Sequence, residues 1–161
     1  MRVITYSMKL DEDRKNVLVK ENCNYCSEVD CLNSPQKIAC MMNVMYDADN
    51  LPEEHMWLLA LNMKCRLIGV FDVAHGFVNG CYVTPREIFT RACVCGAGRI
   101  VVVHNHPSGD QTPSKEDDRL TKRIVEAGKM LGIELIDHIV IGKNVFYSYA
   151  GNDRFIECIG E

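Results

Sequence analysis

The run Gly98-Arg99-Ile100-Val101-Val102-Val103 is short, apolar and β-branched. It is closed by glycine on one side and by Pro107-Ser108-Gly109 on the other, so it reads as a buried strand. The residues after it constrain the chain further. His104 and His106 leave the strand two residues apart, so their side chains point to the same side of an extended backbone. Pro107 then ends regular pairing, and the stretch from Pro107 to Pro113 is polar and rich in turn residues. A helix is predicted from Ser114, with Leu120, Ile124 and Leu131 on its apolar face and Gly132 at its end. Asp117 falls in its first turn, where the positive end of the helix dipole keeps a carboxylate ionised and able to bind a cation.

Two imidazoles, one carboxylate and a vacant fourth position make the open tetrahedral set of catalytic zinc. A competing account exists, because Ser114-Lys115-Glu116-Asp117 has the S-x-x-D form of a capping box, which needs no metal. The paired histidines favour the metal, since two imidazoles side by side at a strand end have little reason to be there for packing. Ser114 fits both accounts, opening the helix with its backbone and facing the ion with its hydroxyl. Manganese, iron and nickel are also compatible with these ligand types.

The pattern His-x-His, seven residues, Ser, two residues, Asp resembles the JAMM motif of the JAB/MPN metalloenzymes. The wording His104-Asn105-His106-Pro107-Ser108-Gly109-Asp110, with Thr84-Pro85-Arg86-Glu87 before it and Asp137-His138-Ile139-Val140-Ile141-Gly142 after it, resembles the RadC branch. The resemblance covers Leu51 to Tyr149. It implies a three-layer α/β/α, cytidine-deaminase-like JAB/MPN fold with a mixed, mostly antiparallel sheet. It also implies one Zn(2+) at the sheet end, held by His104, His106 and Asp117. The family further requires an upstream glutamate, and Leu51-Pro52-Glu53-Glu54-His55-Met56-Trp57 is the matching stretch. Glu54 is the expected base and Glu53 the fallback; taken alone, either would read as an acidic residue at a solvated strand start.

These residues imply a zinc-dependent hydrolase, a metallopeptidase or isopeptidase that uses a zinc-activated water. Glu54 would take a proton and return it to the leaving amine, and Ser114 would hydrogen-bond the oxyanion. The RadC branch also carries a DNA-repair label, so a nucleic-acid-binding protein or nuclease is the alternative. Charge argues against it: the net charge is -4 and the pI about 5.7, without the basic footprint that phosphate contacts need. The leading segment also lacks the paired helices with a glycine hairpin found in longer members. Arg119, Lys122 and Arg123 form a basic stripe at helical spacing and read as a solvated face. A non-catalytic MPN scaffold is the third reading, disfavoured because every ligand is present.

At 161 residues the chain is long enough for one substantial core. Residues 1–50 read as a short N-terminal extension of strand, Cys-rich loop and helix, and 51–161 as the catalytic domain. No apolar stretch approaches a membrane span, and Met1 to Lys20 is strewn with charges rather than built as a signal peptide. A soluble, cytoplasmic protein with no membrane partner is expected. Nine cysteines without an export signal point to reduced thiols. Cys23, Cys26 and Cys31, with Cys40, contain half of a structural zinc site, but no second Cys-x-x-Cys follows, so loop thiols are the preferred reading.

Strands are expected at Arg2–Leu10, Trp57–Asn62, Cys65–Val73, Glu134–Ile141 and Val145–Ala150, with an irregular or extended piece from Arg14 to Asp30. Helices are expected from Pro35 to Met45 and from Thr84 to about Cys95. Cys93 and Cys95 are expected to be buried, His138 to be a satisfied strand histidine with lining the site behind its ligands as the alternative, and Asp110 to close a turn with contact to substrate or a metal-bound water as the lesser reading. Edge strands at Arg2–Leu10 or Val145–Ala150 would receive a peptide or build a homodimer.

Overall fold

In the computed structural model, which describes residues 1–76 and 83–155, the apolar run lies between two neighbouring strands and two layers of helix. The elements are β1 (Arg2–Leu10), β2 (Asn16–Tyr25), α1 (Pro35–Tyr46), β3 (His55–Leu61) and β4 (Leu67–His75). They continue with α2 (Pro85–Val94), β5 (Arg99–Asn105), α3 (Lys115–Leu131), β6 (Glu134–Gly142) and β7 (Val145–Ser148). Among the described residues the strands form one sheet in the order β2-β1-β4-β3-β5-β6-β7. The β1/β4 and β5/β6 pairs are parallel and the others antiparallel, giving the expected mixed, mostly antiparallel sheet. Residues 77–82 and 156–161 of the expected 51–161 domain lie outside the described residues.

Strand β5 explains the layers. Ile100 and Val102 pack with Ile88, Phe89 and Ala92 of α2 and with Ile124 and Val125 of α3. Val101 and Val103 pack on the other face with Ile38, Met41 and Met42 of α1. A strand covered on both faces has no polar side to show, and so reads as a continuous apolar run. Burying each such side chain stabilises the fold by about 1.5–3 kcal/mol. The helices begin where their side chains can satisfy free N–H groups. Ser34 caps α1 with Pro35 at its first position, the Glu87 carboxylate accepts from the Thr84 N–H and hydroxyl at the start of α2, and Ser114 with Asp117 forms a reciprocal capping box on α3.

Several expectations are corrected. The stretch expected to be irregular contains β2, which pairs with β1 along its length, so β1 is an interior strand and β2 and β7 are the edges. Residues 1–50 thus supply two strands and one helical layer to the same sheet as the rest. Leu131 is 51% exposed; the buried face of α3 runs through Thr121, Ile124, Val125 and Gly128. Gly132 turns the chain at a φ of 70°, and Ile133 fills the place Leu131 was expected to take. Cys93 is exposed and Cys95 half-buried, because α2 faces the core with Ile88, Phe89 and Ala92. Cys26 is buried in the core and Cys40 is exposed, and among the described residues no three-ligand metal group includes a cysteine. Among these residues no helix is long and apolar enough to cross a membrane.

Asp137 ties β6 to the chain after β7, accepting from Ser148 Oγ at 2.6 Å and from the Ala150 N–H at 3.0 Å. Burial pushes its carboxyl above the ordinary 3.8, and these donors offset only part of that. The folded chain therefore holds this proton to higher pH than the unfolded chain. The group's contribution to stability is full below 3.8 and is lost as pH rises through the raised folded value. Asp137→Asn is expected to flatten that part of the stability curve, measured by urea unfolding from acid to neutral pH. An unchanged slope would mean that Asp137 ionises as readily in the folded chain.

Candidate metal centre

The sheet aims the histidines. Met56 of β3 lies opposite His104 of β5, and both continue the side of the sheet carrying Leu58, Ala60, Ile100 and Val102, the side that α2 and α3 cover. The His106 N–H donates to the Ile141 carbonyl at 2.8 Å, which extends pairing one residue beyond β5. Gly109, at a φ of 82°, then turns the chain with its N–H on the His106 carbonyl. The loop rests against the turn after β6: the Lys143 N–H donates to the Gly109 carbonyl at 3.0 Å, and a Cβ at Gly142 would meet that same oxygen at 2.4 Å. Asp117 sits one helical turn before Thr121, on the buried face of α3, and meets the histidines from above.

The three candidate ligands converge. His104 Nε2 and His106 Nε2 are 3.0 Å apart, His104 Nε2 is 3.2 Å from Asp117 Oδ1, and His106 Nε2 is 3.6 Å from Asp117 Oδ2. A tetrahedral ion with bonds of about 2.0–2.2 Å sets its ligand atoms about 3.3–3.6 Å apart, and one donor atom from each of the three residues lies within 4.8 Å of the other two, close enough for a single small ion. Two imidazole nitrogens at this separation also need a proton or a cation between their lone pairs. His104 is almost fully buried, and the Asp117 side chain is 14% exposed.

Hydrogen bonds fix which nitrogen faces the centre. His106 Nδ1 lies 2.8 Å from the Asp110 carbonyl, an acceptor, so Nδ1 carries the hydrogen and Nε2 is free. For His104 the same result comes from a relay. Thr121 Oγ1 donates to the Asp117 carbonyl at 2.6 Å, and its remaining capacity is to accept from His138 Nδ1 at 2.6 Å. His138 is fully buried; desolvation, then the neighbouring His104, push it well below its ordinary pKa, so it is neutral. With Nδ1 donating, its Nε2 must accept, and it accepts from His104 Nδ1 at 2.9 Å. The relay leaves the His104 Nε2 lone pair facing the centre, and joins two candidate ligands, His104 and Asp117, through Thr121 and His138. Thr121→Val keeps the shape and removes the directing hydroxyl. It is expected to lower Zn²⁺ affinity about 10- to 100-fold, measured by chelator competition. Unchanged affinity would show that the tautomer is set without Thr121.

Burial would raise the Asp117 carboxyl, but His104, His106 and Ser114 outweigh it and hold the group well below the carboxylate range. Burial works against the charged form of His106, yet Asp117, the Asp110 carbonyl and the Glu54 charge together raise its pKa. Ser114 Oγ donates to Asp117 Oδ2 at 2.7 Å and accepts from the Asp117 N–H at 3.1 Å. Capping and ligand geometry coexist, with Oδ2 closing the helix start and Oδ1 nearer His104. In this arrangement the Ser114 proton orients the carboxylate.

Glu54 immediately precedes β3, two residues before Met56, and its charge acts on His106, whereas Glu53 lies in the bend before the strand. Glu54 is half-buried and Glu53 exposed. Asn105, absent from the expected site, brackets this residue. Its Nδ2 donates to the Glu53 carbonyl at 3.0 Å and its Oδ1 accepts from the His55 N–H at 2.7 Å, while the Glu54 carbonyl accepts from Gly76 at 2.9 Å. Asp110 closes its turn through the Thr112 N–H at 2.9 Å.

A family model described as RadC-like JAB domain matches residues 32–154. Among curated proteins, the chain is 44% identical over 117 residues to a UPF0758 protein of Alkaliphilus metalliredigens, covering 73% of this chain and 50% of that one. It is 47% identical over 115 residues to a UPF0758 protein of Clostridium botulinum (strain Alaska E43 / Type E3), covering 71% and 49%. A UPF0758 protein of Desulforamulus reducens is 47% identical over 105 residues, covering 65% and 46%. The chain spans about half the length of the curated relatives it matches.

Proposed function

Because the chain belongs to the RadC-like JAB domain family, we propose that it is a zinc-dependent hydrolase whose substrates are peptide or isopeptide bonds. The observation that carries this reading is the convergence of His104, His106 and Asp117, one donor atom from each within 4.8 Å of the others, with Glu54 near enough for its charge to act on His106. The α/β architecture, with its mixed sheet and three helices among the described residues, is consistent with the JAB fold.

His104, His106 and Asp117 would hold the zinc. The chemistry a bound zinc supplies is Lewis acidity, which acidifies water and polarises a carbonyl. Everything else rests on the protein. The Glu54 carboxylate takes the proton of the attacking water and returns it to the leaving amine, so one group serves as base and then acid. Asn105 holds the peptide groups on both sides of Glu54 and keeps that carboxylate at the strand end. The Ser114 hydroxyl aims Asp117; turned from it towards a substrate carbonyl, it becomes a donor to the charge that develops there.

The nuclease alternative needs a phosphate-binding surface. Near the site two of the cations are paired with carboxylates: Arg154 holds Asp118 at 2.8 Å and Arg119 pairs with Glu116 at 3.1 Å. No observation favours nucleic acid as the partner. The test is to incubate the purified chain with peptide and isopeptide-linked substrates, with and without a chelator, and then restore Zn²⁺. Cleavage abolished by the chelator and recovered with the metal is the expected result. Nicking of DNA or RNA under the same controls would transfer the chemistry to phosphorus, and partner binding without cleavage would make the domain a scaffold.

A further inference from the structure

A second donor set lies on the opposite face of the sheet. His55 opens β3, and Asp72 and His75 lie near the end of β4. His55 stands directly across from His75, with the two rings 5.4 Å apart, and its Nδ1 is 3.1 Å from Asp72 Oδ2. One donor atom from each of the three lies within 4.8 Å of the other two.

Strand geometry makes this convergence a built feature. Asp72 and His75 are three residues apart, and a regular strand would send them to opposite faces. Here Met56 pairs with Ala74 and Trp57 with Asp72, so Val73 is an extra residue on β4, a β-bulge. Val73 and Ala74 consequently both pack on the α2/α3 side, and Asp72 and His75 both turn to the other. His55 is held in place as well. Its ring stacks on Trp57 at 5.3 Å with planes 12° apart, and its N–H is fixed by Asn105.

We infer that His55, Asp72 and His75 bind a divalent first-row transition ion, a second metal separate from the one at His104, His106 and Asp117. Two imidazole nitrogens and one carboxylate oxygen suit Zn²⁺, Co²⁺, Ni²⁺ or Cu²⁺ rather than the oxygen-seeking Mg²⁺ or Ca²⁺. The 3.1 Å between the His55 and Asp72 donors is close to the edge of about 3.3 Å expected for a tetrahedral ion, and water would complete the shell. With Asp72 and His75 exposed, the ion enters directly from solvent and exchanges more readily than one at the buried His104. Glu54 is the residue before His55, so an ion here fastens the strand end that carries its carboxylate.

The test uses the full chain stripped of metal and titrated with Co²⁺, read by visible absorption and by bound metal per chain. The native chain should bind about two ions, and the His104→Ala, His106→Ala variant about one, as two independent three-ligand sites require. Adding His75→Ala and Asp72→Asn should abolish the remaining site. In the native background the same two exposed substitutions should weaken only one of the two binding phases, by at least about tenfold. Circular dichroism checks that each variant is folded. Binding by the folded His104/His106 variant that is unaffected by His75→Ala and Asp72→Asn would overturn the inference. A native chain that binds a single ion, insensitive to those substitutions, would do the same, leaving an ordinary histidine–aspartate pair. The inference does not depend on hydrolytic activity and survives or fails separately from it.

Discussion

Glu54→Gln is expected to lower turnover about 10²- to 10⁴-fold, while metal content and fold stay those of the native chain. Glutamine matches glutamate in size but cannot take a proton at neutral pH, so the variant removes the transfer and leaves the shape. The residue is outside the candidate ligand set of His104, His106 and Asp117, which is why metal content should not change. Glu53→Gln is the internal control. Glu53 is exposed and lies in the bend before β3, so its substitution should leave turnover within about twofold, as surface changes away from a reacting centre do. The measurement is kcat with metal content by mass spectrometry on the same samples. Turnover of Glu54→Gln within about tenfold of native would remove Glu54 from the mechanism, and a loss in Glu53→Gln instead would reassign the base.

Asp117→Ala is expected to leave the chain without the zinc that the native protein should carry at about one per chain. The residue has two duties, and a pair of variants separates them. Asp117 Oδ2 accepts from the Ser114 N–H at 2.7 Å and closes the start of α3. Alanine removes both the charge and that acceptor; Asp117→Asn removes the charge but keeps an oxygen for the cap. Both variants should lose the metal, and only alanine should lose a further 0.5–2 kcal/mol, roughly, of metal-free stability from the cap. Metal analysis by mass spectrometry and urea unfolding of the metal-free proteins read the two effects. Full zinc content in Asp117→Ala would mean that the capping box is the whole function of this residue.

Much of this architecture was legible because it is local. A run such as Ile100–Val103 has one reading, capping boxes announce where α2 and α3 begin, and His104 and His106 share a side by the period of an extended chain. What escaped depends on pairing. β2 was hidden because its residues alternate weakly, and once it pairs, β1 ceases to be an edge. The choice between Glu53 and Glu54 rested on resemblance, because both precede β3 and neither takes part in its pairing with β5. Thr121 was accessible in principle: it lies four residues after Asp117, one helical turn along the same face, and a hydroxyl there stands out among apolar neighbours. Asn105 carried no such signal, because its partners are backbone groups 50 or more residues earlier in the chain. The set of His55, Asp72 and His75 was invisible for a related reason, since a bulge reverses the alternation by which the residues would be sorted.

The contact between Gly142 and the Gly109 carbonyl places main chain directly on main chain beneath the loop that carries His106. Side chains vary in length and rotamer, so a loop seated on them inherits their tolerance; a loop seated on bare backbone inherits almost none. The position of His106 is therefore referenced to the sheet itself, as an instrument is referenced to its bench. Neighbouring side chains in the turn can change without disturbing that datum, whereas a single added carbon at residue 142 would move it.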